Sequence, residues 1–100
     1  MSRERIDIMA DILNYKGRPL VKNGNKIYYG EPYNPCIIVL TILENATVDG
    51  TELPSRILVQ LQSTDPELAF KPEKILNEAE RKTLADALNI GAVWLDKQLG

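Results

Sequence analysis

Apolar positions are densest from Cys36 to Leu43, Cys-Ile-Ile-Val-Leu-Thr-Ile-Leu, a run rich in β-branched residues. Such a run reads as a strand buried on at least one face. Further on, Asp49-Gly50 supplies two residues that tolerate positive φ, the sequence favoured in two-residue hairpin turns. Folding the chain there sets Ile42 against Ile57, Leu40 against Val59 and Ile38 against Leu61, all six on one face. The other face carries Ile37, Val39, Thr41 and Leu43 against Gln62, Gln60, Leu58 and Arg56, and is only half apolar. A one-residue slip would set the isoleucines and Leu40 against Arg56, Leu58 and Gln60, so the pattern selects its own register. Pro54 predicts a bulge or break in the return strand, with that stretch at a sheet edge.

Before this hairpin, residues 3–15 alternate like a strand at Ile6, Ile8, Ala10 and Ile12, but a helical wheel sorts more of them. Ile6, Ile8, Met9, Ala10, Ile12 and Leu13 share one arc; Arg3, Glu4, Asp7, Asp11 and Asn14 share the opposite one. With Ser2 as a cap and Gly17 and Pro19 as stop signals, the pattern predicts an N-terminal helix. Leu20–Lys22 and Lys26–Tyr29 flank Asn23-Gly24-Asn25, a second hairpin. Gly30, Pro32 and Pro35 make the stretch that follows a connector.

Beyond the central hairpin, Asp65-Pro66 and Lys71-Pro72 punctuate a passage from sheet to helix, with Leu68 and Phe70 as expected anchors on the core. Asn77 followed three residues later by Glu80 is a capping pattern, and Glu78 and Lys82 are spaced as a helical ion pair. Leu84, Ala87, Leu88, Gly91, Trp94 and Leu95 form one helical stripe, with Ile90 and Val93 off it. Either the helix breaks near Asn89–Gly91, or a second surface covers those two residues. The predicted fold is therefore α+β over a single domain, residues 1–100. It comprises an N-terminal helix, a four-stranded antiparallel sheet made from two hairpins, and C-terminal helices packed on one sheet face.

Composition narrows the chemistry more than it names a function. A net charge of −2 gives no general attraction to nucleic acid or acidic membranes. The charge is uneven, with six Lys/Arg against four Asp/Glu in residues 1–35 and six against ten in the remainder. No apolar run is long enough to span a bilayer. The opening Met-Ser-Arg-Glu-Arg leads into no signal-peptide core, and a single Cys fits a reducing cytoplasm. Asn45-Ala46-Thr47 matches the glycosylation sequon but reads as strand sequence in that setting.

The chain has no His, so it offers no imidazole base, proton shuttle or nitrogen metal ligand. One Cys without His excludes a Cys–His nucleophile pair and a structural zinc site. Neither standard glycine-rich phosphate loop occurs. Carboxylates are spread over solvent positions, so no catalytic residue, metal ligand or cofactor is expected.

Two clusters remain as candidate surfaces. Tyr28, Tyr29 and Tyr33 fall in one segment with Arg18, Lys22 and Lys26, a composition that could stack the bases of single-stranded nucleic acid. The simpler alternative packs Tyr28 and Tyr29 on opposite sheet faces, with the lysines keeping a hairpin soluble. Ile90, Val93 and Trp94 could form a contact between two copies, with Gly91 and Ala92 allowing close approach. The sequence favours a small cytoplasmic, non-catalytic binding or adaptor module whose partner is a protein or a second copy in a homodimer. A single-stranded nucleic-acid binder is one alternative, and a small-molecule enzyme or its accessory subunit is the other.

Overall fold

The structure is a computed structural model that describes residues 12–31 and 33–99. Six strands follow one another: β1 Ile12–Tyr15, β2 Arg18–Asn23, β3 Lys26–Tyr29, β4 Cys36–Val48, β5 Thr51–Ser63 and β6 Ile75–Arg81. Each pairs antiparallel with its sequence neighbour, giving one meandering sheet in the order β1-β2-β3-β4-β5-β6. An α-helix, α1 Leu84–Leu99, lies across one face of it. The class is α+β, but among the described residues six strands and one α-helix stand where the sequence suggested a four-stranded sheet and several helices.

The central hairpin has the register that its apolar pattern requires. Ile42 pairs with Ile57, Leu40 with Val59 and Ile38 with Leu61, and Asp49 and Gly50 both take positive φ at the tip. Toward the tip the pairing shifts by one at Glu44 opposite Arg56, then recovers at Asn45 opposite Pro54. Leu43 and Ser55 are the residues skipped, one on each strand. Two opposed bulges therefore absorb Pro54, which cannot donate a ladder hydrogen bond. β3 reaches only as far as Thr41 and β6 only as far as Ile57. Beyond those points β4 and β5 pair only with each other, as a two-stranded ribbon leaving the sheet.

The first correction concerns the N-terminus. The helix predicted over residues 3–15 lies mostly outside the described residues, and where it enters them, Ile12–Tyr15 is strand β1. Gly17 does not stop a helix; with Lys16 it forms a hairpin turn in which both residues have positive φ. Lysine is uncommon in that conformation, so the turn carries no strong sequence mark. Pro19 is tolerated in β2 because it sits at the sheet end, where its carbonyl accepts from the Gly30 N–H at 3.0 Å.

The second correction concerns Asn77–Lys82. Residues Ile75–Arg81 form edge strand β6 rather than the opening of a helix. Glu78 and Glu80 alternate along its outer face and are held across the strands, by Gln60 Nε2 at 2.7 Å and Arg56 Nε at 2.8 Å. An edge strand accepts such charges because they discourage further pairing. The helix is capped later, where Thr83 Oγ1 accepts from the Asp86 N–H at 3.1 Å. It runs unbroken through Asn89–Gly91. The expected anchor Phe70 is fully exposed and Leu68 only half-buried.

The core lies between α1 and the sheet. Ile27, Tyr29, Cys36, Ile38, Leu40, Ile57, Val59 and Leu61 meet Ala87, Ala92 and Leu95. Gly91 sets the spacing: a Cβ there would stand 3.0 Å from Ile38 Cγ2, so the helix backbone rests directly on the sheet. Above the far end, Arg18 binds Asp96 at 2.9 Å and approaches Glu31 at 3.7 Å, fastening the last turn of α1 to β2.

Candidate functional site

Alternation divides each strand between two faces, and α1 covers only one. The other face has a readable grid, because antiparallel partners line up across it. One row runs Lys26, Thr41, Leu58, Glu80; the next runs Val21, Tyr28, Val39, Gln60, Glu78; a third begins at Ile37 and continues through Gln62. The second and third rows change character halfway, while the first is polar at both ends. Toward β2–β4 the face carries Val21, Tyr28, Ile37 and Val39, whereas toward β6 it carries Gln60, Gln62, Glu78 and Glu80. The polar half is internally bonded, with Gln62 Nε2 donating to Gln60 Oε1 at 2.8 Å and Gln60 donating on to Glu78.

Two hollows occupy the apolar half. One, of about 280 Å³, is lined by Val21, Tyr28, Gly30 and Ile37. The other, of about 240 Å³, lies between the sheet and the β5–β6 connection. Tyr28, Ile37 and Val39 form its floor; Pro66, Ala69 and Lys74 are among the residues of its outer wall. Tyr28 and Ile37 border both hollows, so the two are one shallow groove running across the strands. The connection is shaped by two single 3-10 turns, Pro66–Leu68 and Pro72–Lys74. Asp65 caps the first by accepting from the Glu67 N–H at 3.0 Å. Thr64 Oγ1 donates to the Asn34 carbonyl and ties this connection to the one before β4.

The tyrosine and basic residues singled out from the sequence are dispersed. Tyr28 is half-buried on the groove side with exposed Lys26, whose Nζ reaches Thr41 Oγ1 at 3.4 Å. Tyr29 is buried beneath α1, its hydroxyl donating to the Tyr15 carbonyl at 2.8 Å and its ring edge-on to Tyr15 at 5.7 Å. Burial pushes the Tyr29 hydroxyl above its ordinary pKa. Arg18 and Lys22 lie on the helix side by register, Arg18 in its ion pairs and Lys22 exposed. Tyr33 stands 83% exposed in the β3–β4 connection. The structure thus sets Tyr28 with Lys26 on one face, and Tyr29 with Arg18 and Lys22 on the other.

On α1, Ile90 and Trp94 pack partly against the core, and Val93 is 50% exposed. Ala92, absent from the sequence stripe, is buried. Cys36 is buried at the start of β4, and burial raises its thiol pKa. Among the described residues, no three Cys, Asp or Glu side chains converge where they could hold a metal ion. No helix among them is long and apolar enough to cross a membrane.

Of the groove lining, sequence reasoning singled out only Tyr28; Val21, Ile37 and Lys74 are among the residues it missed. Ile37 was legible as a position on the second face of the central hairpin, and Val21 only as part of a strand flanking the second turn. Lys74 is brought to the groove by the 3-10 turns, which no periodicity marks. The described residues form, in class, a six-stranded antiparallel meander backed by one helix, with a groove on the helix-free face. No family model matches the chain, and no curated protein or solved structure matches it.

Proposed function

We propose that this chain is a small non-catalytic binding module that recognises its partner through the groove on the helix-free face of the sheet. Val21, Tyr28 and Ile37 support this reading: they are largely apolar, and they line a hollow on the face that α1 leaves free. A concave, largely apolar wall with a few polar groups at its margin is the usual form of a binding site. On the opposite face, α1 packs over the β4–β5 part of the sheet. Self-association belongs to the same proposal, with Val93 as the apolar position that α1 turns outward.

An apolar dye whose emission rises on leaving water tests the groove. Wild-type protein is expected to enhance the dye, and Tyr28→Lys is expected to abolish the enhancement while circular dichroism stays unchanged. Val93→Lys serves as the comparison and is expected to leave dye binding intact. Undiminished enhancement by a folded Tyr28→Lys protein would place the apolar surface elsewhere and end this assignment.

A further inference from the structure

The two hollows of the groove differ in chemistry at their outer ends. At the Val21 end the walls are apolar except for the Tyr28 hydroxyl and the backbone. At the other end stands Lys74, half-buried and without an ion pair among the described residues. Its ammonium keeps three donors to offer. Most polar groups around it are already committed. Ser63 Oγ accepts from the Asp65 N–H, Thr64 donates to Asn34, and the Gln62 amide N–H bonds Gln60. Asp65 is the one carboxylate on this wall, and its Oδ1 is held by the Glu67 N–H.

From this polarity we infer that the groove takes an amphiphilic monocarboxylate: a small acid whose carboxylate meets Lys74 and whose apolar body lies across Ile37 and Tyr28 toward Val21. The inference rests on the proposed reading of this face as a binding surface. A cation at one end selects an anionic head, and the shared Tyr28–Ile37 floor selects an unbranched or flat body without polar groups. A neutral apolar molecule would leave Lys74 unanswered. A cationic amphiphile would meet like charge there. Asp65 opposes the bound anion, so the site is one of moderate affinity.

Titration of the full chain with decanoate, decanol and decylammonium, followed by amide NMR, tests the assignment. Decanoate is expected to shift Val21, Tyr28, Ile37 and Lys74 together and saturably, and to bind about five- to tenfold tighter than decanol, as one partly exposed ion pair allows. Decylammonium is expected to bind more weakly than decanol. Lys74→Met keeps the apolar stem and should bring decanoate down to the decanol level, while Asp65→Asn should tighten it. If all three probes bind the groove equally, or Lys74→Met leaves decanoate unchanged, the carboxylate assignment is overturned and the apolar binding surface stands. If none of the probes shifts these four residues, the binding surface itself is wrong.

Discussion

On the face beneath α1, apolar side chains from β3, β4 and β5 run into Ala87, Gly91 and Leu95 with no polar interruption. On the opposite face the sheet carries apolar Val21, Tyr28, Ile37 and Val39 on β2–β4 and gives way to Gln60, Gln62, Glu78 and Glu80 on β5 and β6. The difference follows from what each face must do. A closed core gains from every methylene it buries. A face that meets water must supply polar partners, and here most of them lie on β5 and β6, with Lys26 and Thr41 in the row beyond the groove. The remaining apolar half carries the groove proposed above as the binding surface.

Truncation on each side of β4 and its neighbours puts that contrast to its harshest test. Leu40→Ala, on the helix side, is expected to cost about 2–5 kcal/mol. Tyr28→Ala, on the groove side, should cost about 1 kcal/mol, near the centre of ordinary substitutions. Urea denaturation of both variants checks this, and equal losses would mean that the groove face is as much core as the other.

Gly91→Ala probes how tightly the closed face is built. The added methyl meets Ile38, which has no exposure into which to retreat. Overpacking of about 1–3 kcal/mol, offset by about 1 kcal/mol of helix propensity, leaves a net loss of about 1 kcal/mol. A stabilised variant would show that α1 sits more loosely than its distance to Ile38 implies.

A smaller effect is expected from alkali. Tyr29 and Cys36, both under α1, have pKa values raised by burial. Each holds its proton more firmly when folded. Their contribution is therefore complete below the ordinary values of about 10 and 8.5, and it is lost as pH rises through the higher folded values. Stability should fall above that threshold, and Tyr29→Phe should fall less. A pH series of denaturation midpoints decides it.

The smallest effect is expected at Val93. Val93→Lys should change stability by no more than about 0.5 kcal/mol, since the side chain already faces water. Light scattering of the same protein reports on association through α1. A wild-type chain that scatters as a monomer at high micromolar concentration removes that interface.

The parts of the fold legible in the sequence are those where one physical requirement dominates. The register from Ile38 to Ile42 was fixed by apolar alternation, and Asp49-Gly50 by its need for positive φ. β1 and β6 were hidden because edge strands face weaker demands. β1 is four residues long, turns at a lysine, and belongs to a stretch that a helical wheel sorts better than strand alternation does. β6 carries Glu78 and Glu80, which mimic a helix start until their cross-strand partners Gln60 and Arg56 are known. The groove was half visible. The alternation of Ile37 and Val39 away from the core marked an uncovered face, but the place of Lys74 depends on turns whose direction is tertiary.

The paired bulges at Leu43 and Ser55 have a consequence for how this chain can change over time. Each skips one residue, on opposite strands, so the slip introduced by one is cancelled by the other. Everything from Glu44 to Arg56 hangs from the sheet as an appendage whose register does not have to match the body's. Its tip at Asp49-Gly50 is exposed and remote from both core and groove. Length can be added or removed there in matched pairs at little entropic cost. The ribbon is thus a port in the architecture, where new sequence can be grafted while the body keeps its pairing.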